Sequence, residues 1–190
     1  NKDSMDRLTR QKNVRGGLDD SLRIDYTSPL PLAAGEVLID EFYNVTPQPE
    51  GLYDALMRYS GKYPELPLYI VENGMPTDNG APRADGYTRA NHLRDHIYWM
   101  ERAREDGADV IGYNYWSITD NYEWGSYRLR FGLYTVDVLG DPTAARIPTD
   151  GVAAYRRIIH DNGVGADYVP VMAPAFCSLV DPPRSCTATR

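Results

Sequence analysis

Two short apolar runs, each released into a segment rich in carboxylates and amides, limit what this chain of 190 residues folds into. The first, Leu66-Pro67-Leu68-Tyr69-Ile70-Val71, passes directly into Glu72-Asn73-Gly74. The second runs from about Val110 to Trp116 and passes into Ser117-Ile118-Thr119-Asp120. The first does not alternate polar with apolar, which suits a strand buried on both faces of a parallel sheet. Three helical periodicities surround the strands. Leu52, Ala55, Leu56 and Tyr59 predict a helix from Glu50 to about Tyr63, ended by Pro64. Leu93, Ile97, Met100 and Ala103 mark one face of a second, from Arg89 to Asp106, with Gly107 as its stop. A third, capped by Thr149 or Asp150, reaches Asn162, with Gly163 behind it. Helix, strand, helix, strand, helix is the order of a β/α unit with a parallel sheet. A sheet of two parallel strands leaves both edges open, so the pattern asks for more strands than the chain contains.

The remaining segments are read more coarsely. Residues 1–48 open with a polar stretch containing Gly16-Gly17 and Ser28-Pro29-Leu30-Pro31 and are predicted to form a covering loop or helical segment. Residues 49–162 carry the β/α units, and 163–190 form a proline-containing tail. Arg128 to Val138 has β-type composition and ends at Leu139-Gly140-Asp141-Pro142, which predicts a hairpin-like excursion. Charge restricts the partners. Acidic residues outnumber basic ones, for a net charge of −7, which disfavours nucleic acid or an anionic membrane surface. No apolar run approaches the ~18 residues of a membrane span. Cys177 and Cys186 are too few for a protein-only zinc site, and His92, His96 and His160 form no evident set, so no metal or cofactor is expected.

Glu72 is the sharpest single candidate for chemistry, because a carboxylate at the C-terminal end of a parallel strand stands where α/β sheets and barrels place reactive groups. Read alone, Asn73-Gly74 is equally a turn pair leaving the sheet. The second candidate is Trp116-Ser117-Ile118-Thr119-Asp120-Asn121-Tyr122-Glu123-Trp124, which joins two indoles with carboxylate and amide groups. A pyranose presents an apolar C–H face suited to an indole and a rim of hydroxyls that needs fixed donors and acceptors. The alternative is a core Trp116, a partly buried Trp124 and solvated acids between them.

Together the two segments are far more specific. Tyr69-Ile70-Val71-Glu72-Asn73-Gly74 and Gly112-Tyr113-Asn114-Tyr115-Trp116-Ser117-Ile118-Thr119-Asp120-Asn121-Tyr122-Glu123-Trp124 resemble the I-T-E-N-G and G-Y-x-x-W-S-L-x-D-N-F-E-W motifs of the family 1 glycoside hydrolases, retaining β-glycosidases. Arg130-Phe131-Gly132-Leu133 through Val136-Asp137 is similar to the segment that follows. Asp85, Arg89, His96 and Ile97 fall at the spacing of the family's D-x-x-x-R…H-L helix. The similarity is plain from about Pro49 to Ile159. It implies an α/β fold, the C-terminal portion of a (β/α)₈ TIM barrel, with the two strands here as the seventh and eighth.

By the same resemblance Glu72 aligns with the catalytic nucleophile. Such an enzyme works through a covalent glycosyl intermediate, with a second carboxyl group about 5–5.5 Å away as acid and then base. Trp116 would be the platform for the non-reducing sugar, Glu123 would accept from its O4 and O6 hydroxyls, and Trp124 would donate to O3. A carboxylate at Glu123 disfavours 6-phosphorylated sugars, since two anions would meet in a poorly solvated site. The departures are equally informative. The family's acid/base glutamate lies in T-x-N-E-P, and no Asn-Glu-Pro occurs in the chain; the N-Y-Y segment is absent too. A barrel of this kind needs about 250 residues. The resemblance implies as ligand a small neutral glycoside or oligosaccharide, a β-D-glucoside, fucoside or galactoside, cleaved only with the N-terminal part of the barrel. The alternative is an inactive sugar-binding remnant of the same fold. An oxidised Cys177–Cys186 pair would favour export, and free thiols are the other reading.

Overall fold

The computed structural model describes residues 47–123 and 126–172, all within one unit, Tyr43–Pro174. Trp124, Cys177 and Cys186 lie outside the described residues, as do the predicted covering segment up to residue 46 and the tail beyond 172. The elements are α1 (Glu50–Lys62), β1 (Leu68–Asn73), β2 (Thr77–Asp78), α2 (Arg89–Glu105), β3 (Val110–Tyr115), β4 (Leu129–Arg130), β5 (Tyr134–Thr135), β6 (Ile147–Pro148) and α3 (Asp150–Asp161). The predicted order of helices and central strands is the observed one, and β1 pairs with β3 in parallel.

Helix ends follow their local chemistry, with one exchange of partners. Thr88 caps α2 by accepting from the Asn91 amide at 3.3 Å, and Gly107 takes φ +103° just after its end. Thr149 stands at the N-cap position of α3 as predicted, but neither its side chain nor that of Asp150 bonds to that helix. The Thr149 hydroxyl donates to the Leu133 carbonyl at 2.7 Å, and the Asp150 carboxylate accepts from the Ala90 amide at the start of α2, at 3.3 Å. The left-handed residue that closes α3 is Asn162, at φ +56°, one place earlier than the predicted glycine.

The helices cover one side of the β1/β3 pair. Leu93, Ile97, Tyr115, Leu133, Ala154 and Ile158 form a core among α2, β3 and α3, and Leu56, Ile70, Ala103, Ala108 and Val110 form a second beneath α1. Tyr59 of the predicted α1 face is exposed, and Tyr53 and Met57 pack beside Leu52 instead. β1 is not buried on both faces as its apolar run predicts, and β3 is open on the same side. Val71 and Ile111 remain 64% and 65% exposed, because among the described residues no element covers that second face.

The stretch from Arg128 to Val138 is not a local hairpin. β4 pairs antiparallel with β2, and β5 pairs antiparallel with β6, so its two halves are secured to different, distant partners. The physical reason is the buried Asp120, described below, which gathers the intervening turn around itself.

Candidate functional site

β1 and β3 deliver the two motifs to the same end of the sheet. Asn73 is in register with Tyr115, and the Trp116 amide donates to the Asn73 carbonyl at 2.9 Å. Gly74 completes the junction. A Cβ there would run into the Trp116 carbonyl, so only glycine permits this approach of the two backbones. The Trp116–Ser117 peptide bond is cis.

Glu72 lies within β1, not beyond it, and it stands at an irregularity. Ile70 pairs with Tyr113 and Asn73 with Tyr115, so Val71 and Glu72 together face one residue of β3. Such bulges re-aim side chains beside reactive sites. Glu72 is exposed, and its carboxylate has no hydrogen bond or ion pair to any described residue. On the second strand Trp116 is half-buried, and its indole N–H donates to Glu123 Oε1 at 2.8 Å. Glu123 is placed by reciprocal backbone bonds with Ser126, at 2.8 and 3.0 Å. The structure thus brings Trp116 and Glu123 into contact and sets Glu72 beside the strand end that carries them.

Several residues to which the sequence reading gave no individual role hold this end together. Asn73 Oδ1 contacts His92 Nε2 at 3.0 Å and accepts from the Tyr113 hydroxyl at 2.8 Å. The His92 and His96 rings pack in a tilted arrangement with centroids 3.9 Å apart. Burial pushes the His96 pKa down to about 4 and holds that of His92 well below the usual histidine value, with the neighbouring His96 lowering it further. Both rings are therefore neutral near pH 7. Burial also raises the Tyr113 phenol well above its ordinary range and pushes Tyr115 up to about 12, keeping both as hydroxyls.

Asp120 is the second anchor. Its carboxylate accepts from the Gly132 amide at 2.7 Å, the Thr135 hydroxyl at 2.7 Å and the Val136 amide at 3.1 Å, and it pairs with the buried Arg130 at 3.4 Å. Gly132 is the residue that lets this turn close, because a Cβ there would meet the Asp120 backbone. Arg89, also buried, donates to the Thr77 hydroxyl and to the Arg130 carbonyl. A third buried carboxylate, Asp95, accepts from the hydroxyls of Tyr87 and Tyr168 and from the amides of Val171 and Met172, tying the chain after α3 back onto α2. No group of three potential metal ligands occurs among the described residues.

Residues 36–164 match glycosyl hydrolase family 1. The chain belongs to this family. The match extends the plain similarity from Pro49–Ile159 upstream to residue 36 and downstream to residue 164. This family 1 chain is 45% identical over 117 residues to a β-galactosidase of Sulfolobus acidocaldarius, covering 61% of the chain and 22% of that protein. It is 38% identical over 122 residues to a bifunctional β-D-glucosidase/β-D-fucosidase of Bifidobacterium breve, covering 60% of the chain and 26% of that protein. Among solved structures, the family 1 β-glucosidase of Thermotoga maritima superposes with a TM-score of 0.54 at 34% identity, over 62% of the chain and 27% of the enzyme. The family 1 chain thus spans about a fifth to a quarter of the length of these relatives.

Proposed function

We propose that this chain supplies the nucleophile and the sugar-binding platform of a retaining β-glycosidase that hydrolyses neutral β-D-glucosides, fucosides or galactosides. In this reading β1 and β3 are the seventh and eighth strands of a (β/α)₈ barrel, and residues 49–162 are its last β/α units. The observation that carries it is the juxtaposition of Glu72 with Trp116 and Glu123 at one end of a parallel strand pair. That is the end where barrel enzymes keep their chemistry.

The roles follow from the geometry and the chemistry. A Glu72 oxygen attacks the anomeric carbon and the bond to the aglycone oxygen breaks as an acid protonates it; water then attacks the glycosyl ester and restores the carboxylate. The exposed carboxylate of Glu72, unbonded among the described residues, is free to approach a sugar carbon. Trp116, oriented by its bond to Glu123, offers an indole face to the ring, and the second oxygen of Glu123, without a hydrogen bond among the described residues, is left for sugar hydroxyls. Trp124 adds an N–H donor by the family's pattern. The acid comes from outside this sequence, which contains no Asn-Glu-Pro, so the isolated chain is proposed to need the N-terminal part of a barrel to turn over. The open face bearing Val71 and Ile111 supports that need, because further strands would cover it.

The solved Thermotoga maritima β-glucosidase has been captured with deoxynojirimycin and with castanospermine, and this family ligand chemistry supports a glycoside as the substrate class. The test is covalent trapping. Treating the natural protein with a 2-deoxy-2-fluoro-β-glucoside is expected to add one fluorosugar to the peptide that contains Glu72, read by mass spectrometry. A label on any other residue removes Glu72 as nucleophile. Binding of glucose with no trapping and no turnover would favour a sugar-binding remnant.

A further inference from the structure

Glu72 receives no direct support from any described side chain, so its aim is set by its backbone, and that backbone lies at the bulge of β1. Val71 and Glu72 have no register partner on β3. The next fixed point is Asn73, and it is held unusually firmly. Its main-chain carbonyl accepts from the Trp116 amide, and its side-chain Oδ1 is shared by His92 Nε2 at 3.0 Å and the Tyr113 hydroxyl at 2.8 Å.

The two side-chain donors come from different elements, α2 and β3, so the clamp locks the strand end to the helix behind it. His92 is itself fixed, because His96 Nδ1 lies 2.8 Å from the His92 carbonyl and the two rings pack in a tilted arrangement. Both imidazoles are buried. A neutral His92 carries one ring proton, and since Asn73 Oδ1 is an acceptor, that proton sits on Nε2. Tyr113 is half-buried and donates as a hydroxyl.

We propose that His92 is a positioning residue for the Glu72 carboxylate, acting through Asn73. The role rests on the reading of Glu72 as nucleophile. His92 touches neither sugar nor reacting atoms; it fixes the amide of the neighbouring residue, and the bulge converts that constraint into the direction of the carboxylate. Displacements of about an ångström at a reacting group cost on the order of 100-fold in rate, and a reactive group is held by residues locked from behind.

The experiment uses the natural enzyme carrying these residues. His92→Phe keeps a ring and removes the donor. It is expected to lower kcat about 10- to 100-fold per active site, with KM within about threefold, active sites being counted by burst titration with a fluorosugar. His92→Gln, which retains a donor, is expected to recover most of the loss. Asn73→Ala should reproduce the His92→Phe defect, and the double variant should be no worse than either single one. A His92→Phe enzyme with fewer titratable sites, each turning over normally, would show a purely structural histidine and overturn the proposal. Should His92→Phe not fold, nitrogen-15 NMR of the unaltered protein decides: the His92 proton is expected on Nε2, and a proton on Nδ1 overturns the clamp. Glu72→Gly separates the two readings. A silent Glu72→Gly enzyme rescued by azide beside a His92→Phe enzyme of normal kcat refutes only the positioning role, whereas an active Glu72→Gly enzyme removes the nucleophile itself.

Discussion

Glu72, near the C-terminal end of β1, and Asp120, in the segment after β3, are both carboxylates near the same end of the strand pair, and the structure treats them in opposite ways. Asp120 is buried and takes three hydrogen bonds and an ion pair. Glu72 is exposed and engages none of the described residues. A carboxylate whose lone pairs are all occupied is committed to holding the chain, since a buried charge persists only when paired and hydrogen-bonded. One whose lone pairs are open remains available to a ligand. The two strand ends have thus divided the work: the β3 side builds a rigid turn on Asp120, and the β1 side leaves its acid free and fixes the residue next to it.

The contrast is sharpest in a pair of substitutions. On the proposed reading of Glu72 as nucleophile, Glu72→Gln is expected to lower kcat of the natural enzyme by on the order of 10⁴-fold or more. Its melting temperature should hardly move, because no described bond is lost. A large fall in stability would erase the distinction between the two acids.

Asp120→Ala should do the reverse. It strands Arg130 in the interior with Asp137 at 3.6 Å as its remaining carboxylate, and removing one partner of a buried pair costs about 3–5 kcal/mol. Urea unfolding of the variant measures this. A loss below about 1 kcal/mol would mean that Asp120 is not the anchor of the turn.

The histidines behind β1 add a pH dependence. Their folded pKa values are depressed by burial, so between the ordinary value of 6.5 and the lowered value of about 4 for His96 the unfolded chain binds more protons than the folded one. Stability is therefore complete above about pH 6.5 and declines as the pH falls through that window, by roughly 3 kcal/mol from His96. Urea midpoints taken across the window check the sign, and His96→Gln should flatten the profile. Stability that rises on acidification to pH 5 would contradict buried neutral rings.

The smallest effect is at the junction of the motifs. Gly74→Ala forces the Trp116 carbonyl to give way, at a cost of about 1–3 kcal/mol. The same variant should alter Trp116 fluorescence; an unperturbed spectrum would mean that the two strand ends are not in the contact described.

Much of this was legible in the chain itself. The spacing of Leu93, Ile97 and Ala103 marked the buried face of α2, because a helix brings those positions to one side wherever it packs. Glycines and a proline marked the ends, because their backbone limits act locally. Burial of the strands is realised on one face only, because a run of apolar residues records what the strand is suited to bury and not what stands against it. The partners of Thr149, Asp150 and Asp120 were not legible either. Each is an ordinary capping or turn residue in sequence, and each spends its bonds on a segment 10 to 60 residues away.

The sequence by itself determined the three helices, the two central strands and their order, since these follow from periodicity and turn chemistry along the chain, and it was the resemblance to family 1 that singled out Glu72, Trp116 and Glu123. Only the tertiary structure decided which acid is free and which is bound, why glycine must occupy position 74, and that His92 and Tyr113 meet on Asn73. Those are contacts between residues 19 and 40 positions apart, fixed by the parallel register of β1 and β3 and the packing of α2 against them, and no local pattern encodes them.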